Sequence, residues 1–158
     1  RQMCIRDRVK SVETSKEWPE NLGVGKPYDN MIDNRLEDYL EAKAAAGQGD
    51  SRKTSALLAA VADYTISRSH FESGNLLSAL ALRESGKVQE ADHMVAAWST
   101  DFPENRVVQW CTAIYRGEKE KAVGMLQSRN DQTNTTPWEA SFRDSNFDLI
   151  VRLFSTEQ

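Results

Sequence analysis

Few residues of this 158-residue chain have the types and spacing that enzyme or metal chemistry needs. Its two histidines, His70 and His93, have no cysteine or acidic cluster around them at metal-ligand spacing. Cys111 could act as a nucleophile only with a base nearby, and no motif supplies one. The sequence therefore predicts no catalytic residue, no metal site and no cofactor. We expect the histidines at the surface or partly packed, and Cys111 in the core.

One short loop has a superficial likeness to a phosphate-binding loop. Residues 23–26 read Gly-Val-Gly-Lys, but no predicted strand precedes them, and no serine or threonine follows the lysine. The spacing between the glycines is also too short for that motif. We interpret the loop as a rigid connector between repeats. Residues 134–136 match a glycosylation sequon, which is too short a pattern to support a function.

The four tryptophans could instead bind a sugar, since an aromatic ring can contact the apolar face of a ligand. They are Trp18, Trp98, Trp110 and Trp138. Trp98 and Trp110 fall within predicted helices and Trp18 at a predicted repeat end, so their positions follow the packing pattern. Packing between helices is the favoured interpretation, and ligand contact by one of them is the alternative.

Composition and charge argue against two classes of partner. The formal net charge is −4 at pH 7, and the lysines and arginines form no cluster that could neutralise phosphates. No apolar run reaches the roughly 20 residues that span a bilayer. We therefore expect no nucleic-acid partner and no membrane association. The oligomeric state and the localisation stay open, with a weak preference for the cytoplasm.

Residues 1–8 resemble the translation of a transposase adapter used to prepare sequencing libraries. A genuine short basic amino terminus is the alternative. Leaving these residues out removes three arginines, one aspartate and one of the two cysteines, so the chain becomes more acidic and Cys111 is left alone. We then expect the chain to be a fragment that lacks its natural amino-terminal part.

A repeat is visible in the middle of the chain. Gly86 and Gly117 each stand five residues before an alanine, Ala91 and Ala122, and the two pairs are offset by 31 residues. The apolar residues that align at the same offset are Leu76 with Val107, Leu77 with Val108, Leu80 with Cys111, and Met94 with Met125. A fixed offset of this size indicates stacked helical repeats. Glycine suits the tight turn between two helices, and alanine lets the helices approach closely.

The helical pattern around this repeat predicts the organisation of the whole chain. Residues 9–21 would end a truncated preceding repeat, and residues 22–30 would form a loop. Paired helices would fill residues 31–128, with Asp29 as the first cap and a polar stretch from Gln127 onwards as the end. The remaining regions are a loop over 129–143 and a capping helix with its tail over 144–158. No segment alternates with the period of a strand.

The spacing of Gly86, Ala91 and Pro103 resembles that of the tetratricopeptide repeat, which has alanine five residues after the turn glycine and proline twelve residues later. The resemblance implies an all-α, right-handed stack of antiparallel helical hairpins, a tetratricopeptide-like α-solenoid, with a C-terminal capping helix. Three residues depart from the pattern. Asn75 and Ser78 stand where larger apolar residues are usual, and Trp98 replaces a small one.

A second resemblance concerns the loop at residues 19–27, which reads Pro-Glu-Asn-Leu-Gly-Val-Gly-Lys-Pro. With Asp33, the Tyr-Leu pair at 39–40 and the segment at 79–83, it is similar to the C-terminal helical region of a family of large bacterial proteins. In that family a β-rich domain of unknown function, suspected of carbohydrate association, precedes tetratricopeptide-like repeats. The resemblance implies that such a domain would lie upstream of this fragment.

These patterns lead to two functional hypotheses. The first is a non-catalytic scaffold that contacts a protein or peptide, or the missing amino-terminal domain, through a face that includes Arg83, Glu84 and Tyr115. Ordinary solvated positions are the alternative for each of these residues. The second is an accessory region of a carbohydrate-active enzyme. A polar concave face would favour peptide binding, whereas a broad apolar patch over 18–28 would favour docking onto a missing domain.

Overall fold

The computed structural model describes residues 33–66, 71–131 and 146–155, together with Lys10, Ser11 and Thr14, which are helical. Every regular element in these ranges is an α-helix, which confirms the all-α prediction. The helices are α1 (Arg35–Gly47), α2 (Ser51–Ile66), α3 (Gly74–Glu84), α4 (Val88–Asp101), α5 (Arg106–Arg116), α6 (Lys119–Asp131) and α7 (Phe147–Ser155). Among the described helices, none combines the length and the apolar character that a membrane crossing requires.

Glycines with positive φ lie in the short turns between consecutive helices. Gly49, Gly86 and Gly117 have φ values of 79, 83 and 76°, in the region that side chains with a β-carbon rarely adopt. They follow α1, α3 and α5, so the turns of the two repeat units predicted from the sequence share one backbone conformation. These turns let α1 pack against α2, α3 against α4, and α5 against α6.

The side chains of Asp50 and Asn105 cap the helices that follow them, as their residue types favour. The Asp50 carboxylate accepts a hydrogen bond from the backbone N–H of Lys53 at 2.9 Å, which confirms it as the cap of α2. Asn105 follows Pro103 in the sequence, and its side-chain oxygen accepts from two backbone N–H groups at the start of α5, at 2.9 and 3.2 Å. Each cap satisfies donors that the first turn of a helix leaves without a partner.

The core is centred on α3, which packs against α1, α2, α4 and α5. All residues from Gly74 to Leu82 are buried. The repeat positions are buried too, namely Leu76, Leu77, Leu80, Ala91, Val107, Val108, Cys111 and Ala122. Residues that align at the 31-residue offset therefore occupy similar environments. Two described tryptophans, Trp98 and Trp110, are only 8% and 1% exposed, as the packing interpretation requires.

Several helix boundaries differ from the expected ones. Helix α1 starts at Arg35 instead of about Met31, where the Asp33 carboxylate accepts a hydrogen bond from the backbone N–H of Arg35 at 3.1 Å. At the other end of the repeats, α6 continues to Asp131, past the expected end at residue 128. The predicted caps Asp29 and Asp144 lie outside the described residues, as do the regions 15–32 and 132–145.

The last helix, α7, packs against Trp110 in the middle of α5. Phe147 of α7 makes an edge-on contact with Trp110, with ring centroids 5.3 Å apart and an interplanar angle of 83°. Ile150, one turn further along α7, is fully buried. Phe147 and Ile150 of this helix therefore belong to the same buried core as Trp110.

Candidate functional site

An open groove of about 510 Å³ lies where the end of α1, the exposed side of α2 and the turn after α3 meet. Its floor consists of the buried side chains of Leu58, Ala62 and Leu82. Its polar and small residues are Ala46, Gly49, Ser51, Thr54, Ser55, Ala59, Asp63, Glu84, Ser85 and Lys87. The groove therefore combines an apolar floor with a polar rim that carries both signs of charge.

The groove exists because a row of small side chains runs along one face of α2. Ser51, Ser55, Ala59 and Ala62 are three or four residues apart, so helical periodicity aligns them in one row. Longer side chains at these positions would fill the space in front of Leu58. The row is the feature of α2 that leaves room for a ligand.

Glu84, one of the three residues predicted to contact a partner, lies on the rim of this groove. Its carboxylate Oε1 accepts hydrogen bonds from the Tyr39 hydroxyl at 2.7 Å and from the Lys43 ammonium at 3.1 Å. Its side chain is 31% exposed. These bonds fix the end of α3 to α1 and hold the carboxylate at the rim without burying it.

Arg83 and Tyr115, the other two predicted residues, contact each other away from Glu84. The Arg83 guanidinium donates to the backbone carbonyl of Tyr115 at 2.8 Å, and its Cζ lies 4.8 Å from the centre of the Tyr115 ring. The Tyr115 hydroxyl donates to Asp92 at 2.8 Å. Tyr115 is 6% exposed, so its ring connects α3, α4 and α5 within the fold.

The surroundings of Tyr115 also change its acidity. Burial raises the pKa of Tyr115 to about 12, because the charged phenolate loses contact with water. The hydrogen bond to Asp92 and its negative charge act in the same direction, while Arg83 opposes them. A neutral Tyr115 that donates to Asp92 is therefore the form that the fold favours.

A buried polar network around Arg35 was missed by sequence reasoning. Arg35 is 2% exposed, and its guanidinium donates to both carboxylate oxygens of Asp33, at 2.9 and 2.7 Å, and to Glu72 at 2.5 Å. It also donates to Thr65 at 2.8 Å and to Asn75 at 2.6 Å. The network connects α1 to α2, to α3 and to the segment before α3.

The hydroxyl groups of this network have a defined direction of donation. Ser78 donates to the backbone carbonyl of Val61 at 2.7 Å, so its oxygen is left to accept from the Thr65 hydroxyl, also at 2.7 Å. The Thr65 oxygen in turn accepts from Arg35. The sequence carried one signal of this buried network. Asn75 and Ser78 both depart from the repeat pattern, and both are buried.

Charge compensation keeps Arg35 ionised in this environment. Burial alone lowers the pKa of Arg35, but the hydrogen bond and charge of Asp33, together with the charge of Glu72, outweigh it and raise the pKa. The guanidinium also lies over the Tyr64 ring, 4.6 Å from its centre.

Two of the remaining candidates from the sequence lie within the described residues. His93 is exposed, and Cys111 is fully buried, as expected for a core position. Within residues 33–66, 71–131 and 146–155, no three His, Cys, Asp or Glu side chains are grouped as a metal site would need. His70, the loop at 19–27, the sequon at 134–136, Trp18 and Trp138 lie outside the described residues.

No known protein family, curated protein or solved structure matches this chain. The resemblances to the tetratricopeptide repeat and to the bacterial family therefore stay predictions from the residues quoted above.

Proposed function

We propose that this chain is a non-catalytic helical scaffold that binds a peptide segment of a partner protein in the groove beside Glu84. The observation that carries the proposal is the open groove of about 510 Å³, with its apolar floor and polar rim. This volume lies within the range of about 300–1,000 Å³ that is usual for ligand sites. The groove is partly open to solvent, so a peptide segment can enter it while its flanking residues stay outside.

The groove offers matching groups for the parts of a peptide. Leu58, Ala62 and Leu82 can bury an apolar side chain, and the hydroxyls of Ser51 and Ser55 can hydrogen-bond to peptide backbone groups. The charged side chains on the rim can select the charge of flanking residues. A polar rim of this kind favours peptide binding over docking of a broad apolar surface.

The same proposal includes a tetratricopeptide-like arrangement, in which the helix pairs form antiparallel hairpins in a right-handed stack. Three features support it: the positive φ of the turn glycines, the matching burial of residues 31 positions apart, and the packing of α3 against α5 as well as α4. Repeat stacks commonly use an extended surface to bind partners.

The test starts from a displayed library of random peptides selected against the full chain, followed by affinity measurements on the selected peptides by fluorescence anisotropy. Ala59→Trp would place an indole in the groove, and we expect it to weaken binding at least about tenfold. The matched control is Ala60→Trp on the same helix, which is also exposed but does not line the groove. This control should bind within about twofold of the wild type.

The comparison between the two variants decides the proposal. Both substitutions add the same side chain to adjacent exposed positions of α2, so they have similar effects on helix propensity and solubility. Equal peptide affinities for Ala59→Trp and Ala60→Trp would place the peptide elsewhere and contradict the proposal. If the library yields no peptide that binds in the groove, that result would also count against the proposal.

A further inference from the structure

The small residues of α2 that line the groove beside Glu84 lead to a charged one. Ser51, Ser55 and Ala59 stand four residues apart. The next position at this interval is Asp63, which also lines the groove. Residues four apart lie on the same face of a helix, and at a rise of about 1.5 Å per residue these four positions span about 18 Å. Asp63 therefore marks one end of the groove and Ser51 the other.

Helix α3 runs in the opposite direction to α2 along this groove. Asn75 at the start of α3 contacts Thr65. Ser78, one turn further along α3, also contacts the backbone carbonyl of Val61, one turn back along α2. The end of α3 and the turn after it therefore lie beside the start of α2, far from Asp63.

Near the start of α2, the charges of the rim are compensated. Glu84 Oε1 lies 3.1 Å from the Lys43 ammonium and accepts a hydrogen bond from Tyr39. Lys87 lies 3.7 Å from Glu90, and since both side chains are more than half exposed, water screens their attraction. This end of the groove offers a cationic ligand no negative charge that lacks a neighbouring cation.

Asp63 carries a negative charge that no neighbouring group offsets. It is exposed, and within the part of the chain that the structure describes it forms no hydrogen bond or ion pair. It lies one helical turn beyond Ala59 and next to Ala62, which belongs to the apolar floor. A cationic group of a bound ligand gains attraction here without displacing an existing partner.

The helical rise relates this charge to the apolar floor. Ala59 and Asp63 are about 6 Å apart along the axis of α2. In an extended peptide, residues two positions apart point to the same side and are about 6.6 Å apart. An apolar residue seated on the floor beside Ala59 therefore places the side chain two positions away opposite Asp63.

We propose that the groove selects peptide segments that carry a lysine or arginine two positions from an apolar residue. The apolar side chain is buried over Leu58 and Leu82, and the cation pairs with the Asp63 carboxylate. This inference rests on the peptide-binding function proposed above and names the class of peptide that the groove selects. An exposed ion pair contributes little to affinity, but a like charge at the same position is repelled, so Asp63 acts mainly on selection.

The test is a selection from displayed seven-residue peptides that have leucine fixed at the centre and random residues elsewhere. The full chain and its Asp63→Lys variant are used in parallel. We expect the wild type to enrich lysine and arginine two positions from the leucine, and Asp63→Lys to enrich aspartate and glutamate there. The matched control is Asp101→Lys, which reverses an exposed acidic residue of α4 outside the groove and should enrich the same peptides as the wild type.

Affinities of one enriched peptide, measured by fluorescence anisotropy, give the strength of the pair. Asp63→Asn should weaken binding about two- to fivefold, as expected for an exposed ion pair. Raising the salt concentration to about 0.5 M should reduce this difference, because ions screen the attraction. The same peptide with glutamine in place of its basic residue should bind the wild type and Asp63→Asn equally.

The outcomes separate this inference from the function on which it rests. Peptides that lose binding in Ala59→Trp but carry no basic residue at the stated spacing would overturn the charge selection and leave peptide binding in the groove standing. The same peptides enriched by the wild type and by Asp63→Lys would have the same meaning. Peptides whose binding survives Ala59→Trp, or a selection that yields no peptide, would overturn both proposals.

Discussion

The guanidinium of Arg35 lies directly against Gly74, so that a β-carbon added to Gly74 would be only 2.6 Å from Arg35 Cζ. This close approach allows Arg35 to reach Thr65 and Asn75 at once. The guanidinium belongs to a flexible side chain, but its five hydrogen bonds to side chains leave it little freedom to move. The first residue of α3 is therefore fixed by a contact with the first residue of α1.

Gly74→Ala should destabilise the protein by about 2 kcal/mol, because the new methyl group forces the guanidinium away from its buried partners. The free energy of unfolding, measured by urea denaturation, checks this expectation. Gly47→Ala is the matched control, since Gly47 also lies in a helix and nothing lies within 4 Å of its added β-carbon. That variant should be neutral or more stable by up to about 1 kcal/mol. Equal effects of the two substitutions would contradict the role of the Arg35 contact.

Gly86→Val should destabilise the protein by about 1 kcal/mol or more, because its φ of 83° strains a residue with a β-carbon. Nothing lies within 4 Å of the added β-carbon, so the loss reports backbone strain at the turn. Thermal unfolding gives the measurement. Gly124→Val within α6 is the control, and it should be neutral or slightly stabilising since valine is a better helix former than glycine. Unchanged thermal stability of Gly86→Val would count against the turn.

The stability of the protein should fall between about pH 10 and pH 12 as Tyr115 ionises. The pKa of this tyrosine is raised in the folded state, so its contribution is fully present below the ordinary tyrosine pKa and is lost as the pH rises through about 12. We expect a loss of up to about 2 kcal/mol, measured as the urea midpoint against pH. Tyr115→Phe should flatten this part of the profile. A profile of unchanged slope in that variant would contradict the raised pKa of Tyr115.

The helices, their order and their turns could be predicted because local signals determine them. Gly86 and Gly117 marked turns that have the left-handed conformation, and Asp50 marked the start of α2. Residues aligned by the repeat were expected in the core, and Cys111 is buried like its counterpart Leu80. Such features depend on neighbours within a few positions in the chain, which one sequence displays directly.

The buried network around Arg35, the contacts of Tyr115 and the groove beside Glu84 depend on residues that are far apart in the chain. One sequence does not display such contacts. Arg35 meets Thr65 and Asn75, which are 30 and 40 positions away in the chain, so the pattern around Arg35 gives no sign of its burial. Tyr115 was assigned to a partner-binding face, and its sequence neighbours give no sign that its hydroxyl donates to Asp92 on another helix. In the sequence, the small residues of α2 cannot be told from an ordinary solvated helix face. They line a groove only because α1 and α3 pack beside them.

The most direct test of the groove is amide chemical-shift mapping on the full chain with a selected peptide bound. Peptide binding in the groove predicts that the large shifts fall within Ser51 to Asp63 and Leu82 to Lys87, and that Ala59→Trp abolishes them while Ala60→Trp leaves them in place. Large shifts confined to α5, α6 and α7, or shifts that survive Ala59→Trp, would contradict a peptide-binding site beside Glu84.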